Sequence, residues 1–128
     1  MDTRLNRIRK RVAREGTATP DDIEELDAIL EQDGPSAERL ILRGQLMQLV
    51  ADEEPDALDE ALACFRDAVR LDPDSAEAYE ELAHFLDDVA DEPAEAETFF
   101  RKAIELGAGE SAREGLRDVL SQLGRSEE

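Results

Sequence analysis

The sequence contains no tryptophan, one tyrosine, one histidine and one cysteine, and aromatic residues make up only 4% of it. The single cysteine, Cys64, can form no internal disulfide and no cysteine-based zinc cluster. No apolar run approaches the roughly 20 residues that a membrane-spanning helix needs. The first residues, MDTRLNRIRKRVAREG, lack the apolar core of a secretory signal. We therefore expect a cytoplasmic protein without membrane association.

Positive charge is also scarce outside the N-terminus. Residues 1–15 hold six basic and two acidic side chains, a net charge of +4. Residues 16–128 hold nine basic and thirty-two acidic side chains, a net charge of −23, so that the whole chain carries −19. Most of the molecule therefore repels nucleic acids and anionic membranes, and we expect a nucleic-acid partner to be unlikely.

The spacing of apolar residues is helical almost throughout. Start signals support the helices, because Thr19 precedes Pro20 as an N-cap and the sequence DGPS at 33–36 ends one helix and caps the next. The pattern predicts an all-α fold of about seven helices. The first predicted helix ends at Gly16. The next five cover residues 20–33, 37–51, 55–71, 76–89 and 93–106, and the last carries an apolar stripe from Ala112 to Leu123.

One short motif occurs twice, as FRDAVRL at 65–71 and as FRKAIEL at 100–106, and an alanine one helical turn earlier extends both copies. Small alanines let helices approach closely, and the phenylalanines fill the space between helix pairs. A helix pair repeated at this period is typical of stacked-hairpin proteins, whose units bury their apolar faces against one another. An unrelated helical bundle is the alternative, since alanine and phenylalanine at helical spacing occur in any bundle.

The repeated helix pair resembles the tetratricopeptide repeat (TPR) family. The matching residues are Leu40, Gly44, Met47, Ala61, Phe65, Ala68 and Pro73 in one copy, and Tyr79, Leu82, Ala83, Leu86, Ala96, Phe100 and Ala103 in the other. The resemblance implies a right-handed solenoid in one domain, 1–128. Its parts are a degenerate leading hairpin (1–35), two repeats (37–75 and 76–108) and a capping helix (109–124). It also implies a protein-binding or scaffolding role. The departures from the family pattern are longer turns and Ala108 in place of the usual proline.

The resemblance further implies a concave groove lined by the first helix of each pair. The groove positions are Glu38, Ile41, Gln45, Gln48 and Leu49 in the first repeat and Glu77, Glu80, His84, Asp87 and Asp88 in the second. One end of this groove is acidic and the other is partly apolar, which favours a basic or amphipathic peptide or helix as the partner. The alternative is a solvated surface, because a chain this acidic places carboxylates everywhere.

The first helix is the basic exception in an acidic protein. Its cations are Arg4, Arg7, Arg9, Lys10, Arg11 and Arg14. Three interpretations remain open: the cations face the acidic body of their own chain, the helix binds the groove of a second copy to give a homodimer, or the helix contacts nucleic acid. The third is disfavoured by the acidic body and by the lack of aromatic residues in this helix.

The sequence carries few residues suited to chemistry. His84 has Glu80 and two aspartates near it in sequence, but no second histidine or cysteine at ligand spacing. The serines, such as Ser111, are expected at helix starts or on the outer cap, so no nucleophile–base pair is predicted. No glycine-rich phosphate loop is present. We expect no catalysis, no metal and no cofactor, and we expect Cys64 to be a small packing residue.

Overall fold

The computed structural model describes residues 3–52 and 54–124, and within these residues all regular structure is α-helical. Its seven helices are α1 (Thr3–Glu15), α2 (Pro20–Asp33), α3 (Ala37–Leu49), α4 (Ala57–Leu71), α5 (Ala76–Asp88), α6 (Pro93–Glu105) and α7 (Glu110–Gln122). The predicted all-α class and number of helices are confirmed, and the helix ends lie within two residues of the predicted bounds. None of these described helices is both long and apolar enough to cross a lipid bilayer.

Side-chain caps explain where several helices begin. The hydroxyl of Thr19 accepts a hydrogen bond from the backbone N–H of Asp22, and the Asp22 carboxylate accepts one from the backbone N–H of Thr19. This reciprocal pair is a capping box, and Pro20 occupies the first turn, where its missing N–H costs nothing. The hydroxyls of Ser36 and Ser75 cap α3 and α5 by accepting one hydrogen bond each, from the backbone N–H of Arg39 and of Ala78. The caps satisfy backbone donors that the helix itself leaves unpaired.

The chain divides into two compact units, Met1–Ala68 and Val69–Glu128. In the first unit, α1 and α2 run antiparallel, because Arg4 near the start of α1 contacts Asp33 at the end of α2, whereas Arg11 contacts Asp22 near the start of α2. Leu5, Ile8 and Leu26 are among its fully buried side chains. In the second unit, α6 packs against both α5 and α7, and its core includes Leu82, Phe100 and Val119.

Each repeated phenylalanine faces the backbone of a glycine. In the first unit, a Cβ atom added to Gly44 would lie 2.6 Å from the ring of Phe65. In the second unit, a Cβ atom added to Gly115 would lie 2.3 Å from the ring of Phe100. Both copies of the motif therefore mark a close helix contact, although Phe65 meets the helix before its own and Phe100 the helix after its own. This packing of neighbouring helices is consistent with a helical-hairpin repeat, while the solenoid and its hand stay predictions.

Candidate functional site

The outer surface of α5 carries the groove residues predicted for the second repeat. Glu77 and Asp88 are exposed, and Glu80, His84 and Asp87 are partly exposed. Glu80, His84 and Asp87 follow one another at spacings of four and three residues, which places them on one side of the helix. These five side chains are therefore accessible, as a binding surface requires.

Helix α7 meets this side of α5 at two places. The Nε2 atom of His84 lies 3.1 Å from the hydroxyl oxygen of Ser111, and the amide of Gln122 donates a hydrogen bond to Asp87 at 2.7 Å. The pairs are 27 and 35 residues apart in the sequence, so helical periodicity alone could not connect them. Ser111 is at a helix start, as expected, but it contacts His84, which the sequence analysis did not anticipate.

Two further carboxylates belong to the same surface. Glu114 and Asp118 are exposed and lie between Ser111 and Gln122, at spacings of three, four and four residues along α7. Neither residue was predicted from the sequence, although the periodicity of α7 groups both with Ser111 once one contact to α5 is known. We call this surface the α5–α7 face. It consists of Glu77, Glu80, His84, Asp87, Asp88, Ser111, Glu114, Asp118 and Gln122.

The carboxylates of the α5–α7 face have no lysine or arginine partner among the described residues. Glu80 lies 3.5 Å from the ring nitrogen Nε2 of His84, and Asp87 binds the neutral amide of Gln122. Carboxylates of the first unit contrast with these. Arginines of the same chain pair with Asp22, Glu25, Asp27, Asp33 and Glu38. The α5–α7 face therefore carries uncompensated negative charge.

The surroundings of His84 differ from a serine–histidine–acid triad. Its ring packs edge-on against Phe100 with 4.9 Å between the ring centroids. Ser111 and Glu80 both approach the same ring nitrogen, Nε2. In a serine–histidine–acid triad the acid instead binds the other ring nitrogen and orients the base. Within residues 3–52 and 54–124, no group of three or more potential ligands is placed to hold a metal ion.

The predicted groove residues of α3 differ in their exposure. Ile41 is only 3% exposed, so its assignment to a ligand-binding surface is wrong: its side chain belongs to the core. The carboxylate of Glu38 is bound by Arg9 of α1 at 3.2 Å. Gln45 and Gln48 are partly buried, whereas Leu49 is 48% exposed. Leu49 is thus the predicted α3 residue that offers most apolar surface.

The cations of α1 fall into two groups. Arg4, Arg9 and Arg11 bind carboxylates of α2 and α3, and Arg11 reaches both Asp22 and Glu25. The hydrogen bonds to Glu25 and Asp22 raise the pKa of Arg11 further above its usual value. For these three arginines, the interpretation that they face their own chain is the one the structure supports.

The second group consists of Arg7, Lys10 and Arg14, which we call the basic stripe. All three side chains are exposed, and none has an ion-pair partner in the part of the chain that the structure describes. Their spacings of three and four residues place them on one side of α1, opposite the buried Leu5 and Ile8. The stripe therefore faces solvent.

A separate depression of about 490 Å³ lies in the second unit, beside α6. Tyr79 and Phe99 stack there with their ring centroids 6.0 Å apart. Its cations already have partners, since Arg101 binds Glu97 at 3.0 Å and Lys102 lies 3.8 Å from Glu105. This depression therefore presents less uncompensated charge than the α5–α7 face.

The fold and this face define an all-α protein of packed helices with an acidic surface. Comparison with protein-family models and with curated proteins finds no match to the chain.

Proposed function

We propose that the chain is a non-catalytic interaction module of the TPR type, whose α5–α7 face binds a basic or amphipathic segment of a protein partner. The observation that carries the proposal is the lack of a lysine or arginine partner, among the described residues, for any carboxylate of this face. Like charges placed close together destabilise a fold, and an incoming cation relieves that cost. The proposal places the protein in the cytoplasm and requires no cofactor.

Two supporting features come from the helices themselves. The face is formed by two helices whose contacts, His84 with Ser111 and Asp87 with Gln122, hold it in one arrangement. A preorganised surface loses less conformational entropy on binding than a loop does. Helical partners commonly bind such helix faces through residues spaced three and four apart, which suits an amphipathic basic segment.

Binding of a defined probe tests the proposal. The probe is a labelled amphipathic helical peptide of leucine and lysine, and its leucine–glutamate counterpart serves as the negative probe. Fluorescence anisotropy compares the wild type with a Glu80→Lys, Glu114→Lys variant. The control, Glu92→Lys with Glu105→Lys, makes the same change in charge at exposed positions of the second unit outside the face.

The face variant should bind the basic probe about tenfold more weakly or worse, while the control retains most of the affinity. Equal losses in both variants would mean that the peptide responds only to overall charge, and the α5–α7 face would then be a solvated surface. Affinity capture from host lysate, with the wild type, the face variant and the control as baits, would identify a natural partner. Such a partner binds the wild type and the control but not the face variant.

A further inference from the structure

The outward side of α1 carries a cluster of cations without an ion-pair partner among the described residues, in an otherwise acidic first unit. The flanks of the helix are occupied, because Arg4 and Arg11 bind α2 and Arg9 binds α3. The core side is occupied by Leu5 and Ile8. In the described part of α1, the basic stripe, Arg7, Lys10 and Arg14, is therefore the set of cations available to another molecule.

We propose that the basic stripe of one copy binds the α5–α7 face of a second copy. This inference rests on the proposed function, because it names the occupant of the same face. The two surfaces match in charge, with three cations on α1 and carboxylates on both α5 and α7. They also match in spacing: Arg7 and Arg14 are seven residues apart, about 10.5 Å along the helix, as are Glu80 and Asp87.

A second copy fits the stripe better than a nucleic acid does. A nucleic acid bound to the stripe would lie close to residues 16–128, which carry a net charge of −23 and would repel it. Three phosphate contacts supply little affinity at physiological salt, and α1 carries no aromatic side chain on which bases could stack. Two copies also repel at long range, but at about 0.15 M salt this repulsion is screened beyond about 8 Å, whereas direct ion pairs are shorter.

The contact has two consequences for assembly. It joins different surfaces of the two copies, so it forms either an open chain or a closed ring, the smallest ring being a dimer in which the contact is made twice. Its salt dependence is also distinctive. Association should be strongest at intermediate salt, because repulsion between whole chains opposes it at low salt and screening of the ion pairs opposes it at high salt.

The test reverses the charge of each surface in turn and measures association by sedimentation velocity over a range of protein concentrations. The stripe variant carries Arg7→Glu, Lys10→Glu and Arg14→Glu, and the face variant carries Glu80→Lys and Glu114→Lys. Each variant alone should remain monomeric where the wild type associates, and an equimolar mixture of the two should restore association.

Two single changes form a matched pair. Lys10→Glu should weaken association about fivefold to tenfold, whereas Arg113→Glu should have no measurable effect. Arg113 is exposed on α7 outside the face and has no ion-pair partner among the described residues.

A monomeric wild type at all concentrations would overturn the inference. So would association that survives in the stripe variant, or a mixture that stays monomeric. The proposed function is judged separately, by the leucine–lysine peptide, and stands if that peptide binds while the protein is monomeric. Tight binding of a single-stranded oligonucleotide that is lost in the stripe variant, with a monotonic decline as salt rises, would assign the stripe to nucleic acid and also overturn the inference.

Discussion

The backbone of Gly115 lies directly against the ring of Phe100, so that an added Cβ atom would be 2.3 Å from the ring's Cζ atom. Phe100 is fully buried, so its ring cannot turn out into solvent without exposing apolar surface. The Gly115→Ala substitution should therefore lower the free energy of unfolding by about 1–3 kcal/mol through overpacking. Gly44→Ala should act in the same way against Phe65.

Urea denaturation followed by circular dichroism measures this effect. Gly109→Ser is the matched control, because Gly109 precedes α7 with a negative φ and an added Cβ atom would meet nothing within 4 Å. A serine there also supplies an N-cap, so its stability should be equal to or slightly above that of the wild type. An unchanged midpoint for Gly115→Ala would show that the helices separate at little cost.

A second prediction concerns the buried carboxylate Asp22, which is 2% exposed. Burial by itself raises the pKa of Asp22, but the hydrogen bonds from the backbone N–H of Thr19 and from Arg11 outweigh it and hold the pKa below the usual value. The charged form therefore stabilises the fold at pH values above the unfolded-state pKa of 3.8, and this contribution is lost as the pH falls through the folded-state pKa.

Asp22→Asn should accordingly lower the free energy of unfolding by about 1–3 kcal/mol at neutral pH. The difference from the wild type should shrink as the pH falls below about 4, because the wild-type carboxylate becomes protonated. Asp21→Asn serves as the control, since Asp21 is exposed on the neighbouring position. Denaturation curves recorded across this pH range provide the measurement, and a constant difference at every pH would contradict the prediction.

The third prediction concerns the thiol of Cys64, which is 5% exposed. Burial raises its pKa, and the hydrogen bond that Arg43 donates to Sγ at 3.3 Å offsets this only in part. Because the thiolate is the reactive form, an aromatic disulfide reagent should modify the native protein on the order of a hundredfold more slowly than the unfolded chain. A Ser121→Cys variant in a Cys64→Ala background places a thiol at an exposed position and should react rapidly. Comparable rates for both native proteins would show that Cys64 is accessible.

The fourth prediction uses stability to detect the uncompensated charge of the α5–α7 face. Glu114 and Asp118 are exposed, lie four residues apart on α7 and repel each other. Glu114→Gln should raise the free energy of unfolding by about 0.2–0.5 kcal/mol at low salt, and the gain should vanish at high salt. Glu97→Gln, which removes the ion pair with Arg101, should instead lower stability. A loss of stability in Glu114→Gln would indicate that this carboxylate has a stabilising role in the free protein.

Local features of the fold were predictable from the sequence because local chemistry determines them. The N-cap Thr19, the proline that follows it and the apolar spacing located α2 without reference to any other helix. The contacts of His84 with Ser111 and of Asp87 with Gln122 were not predictable in this way. Periodicity tells which side of a helix is buried, but not which helix covers it. Ile41 illustrates the same limit, because a groove position and a core position look alike in one helix.

The arginines of α1 have a consequence for the rotation of that helix about its own axis. Arg4 is bound at the end of α2 and Arg11 near its start, so α1 is fixed at two points about two turns apart. These two attachments set the rotational phase of α1. Inserting one residue between Arg7 and Lys10 would turn all later side chains by about 100° relative to the earlier ones. Lys10 and Arg14 would then be turned about 100° away from the outward positions that they hold relative to Arg4 and Leu5, although an uncharged inserted residue would leave the net charge unchanged. Helix phase, more than charge, determines what α1 presents to its surroundings.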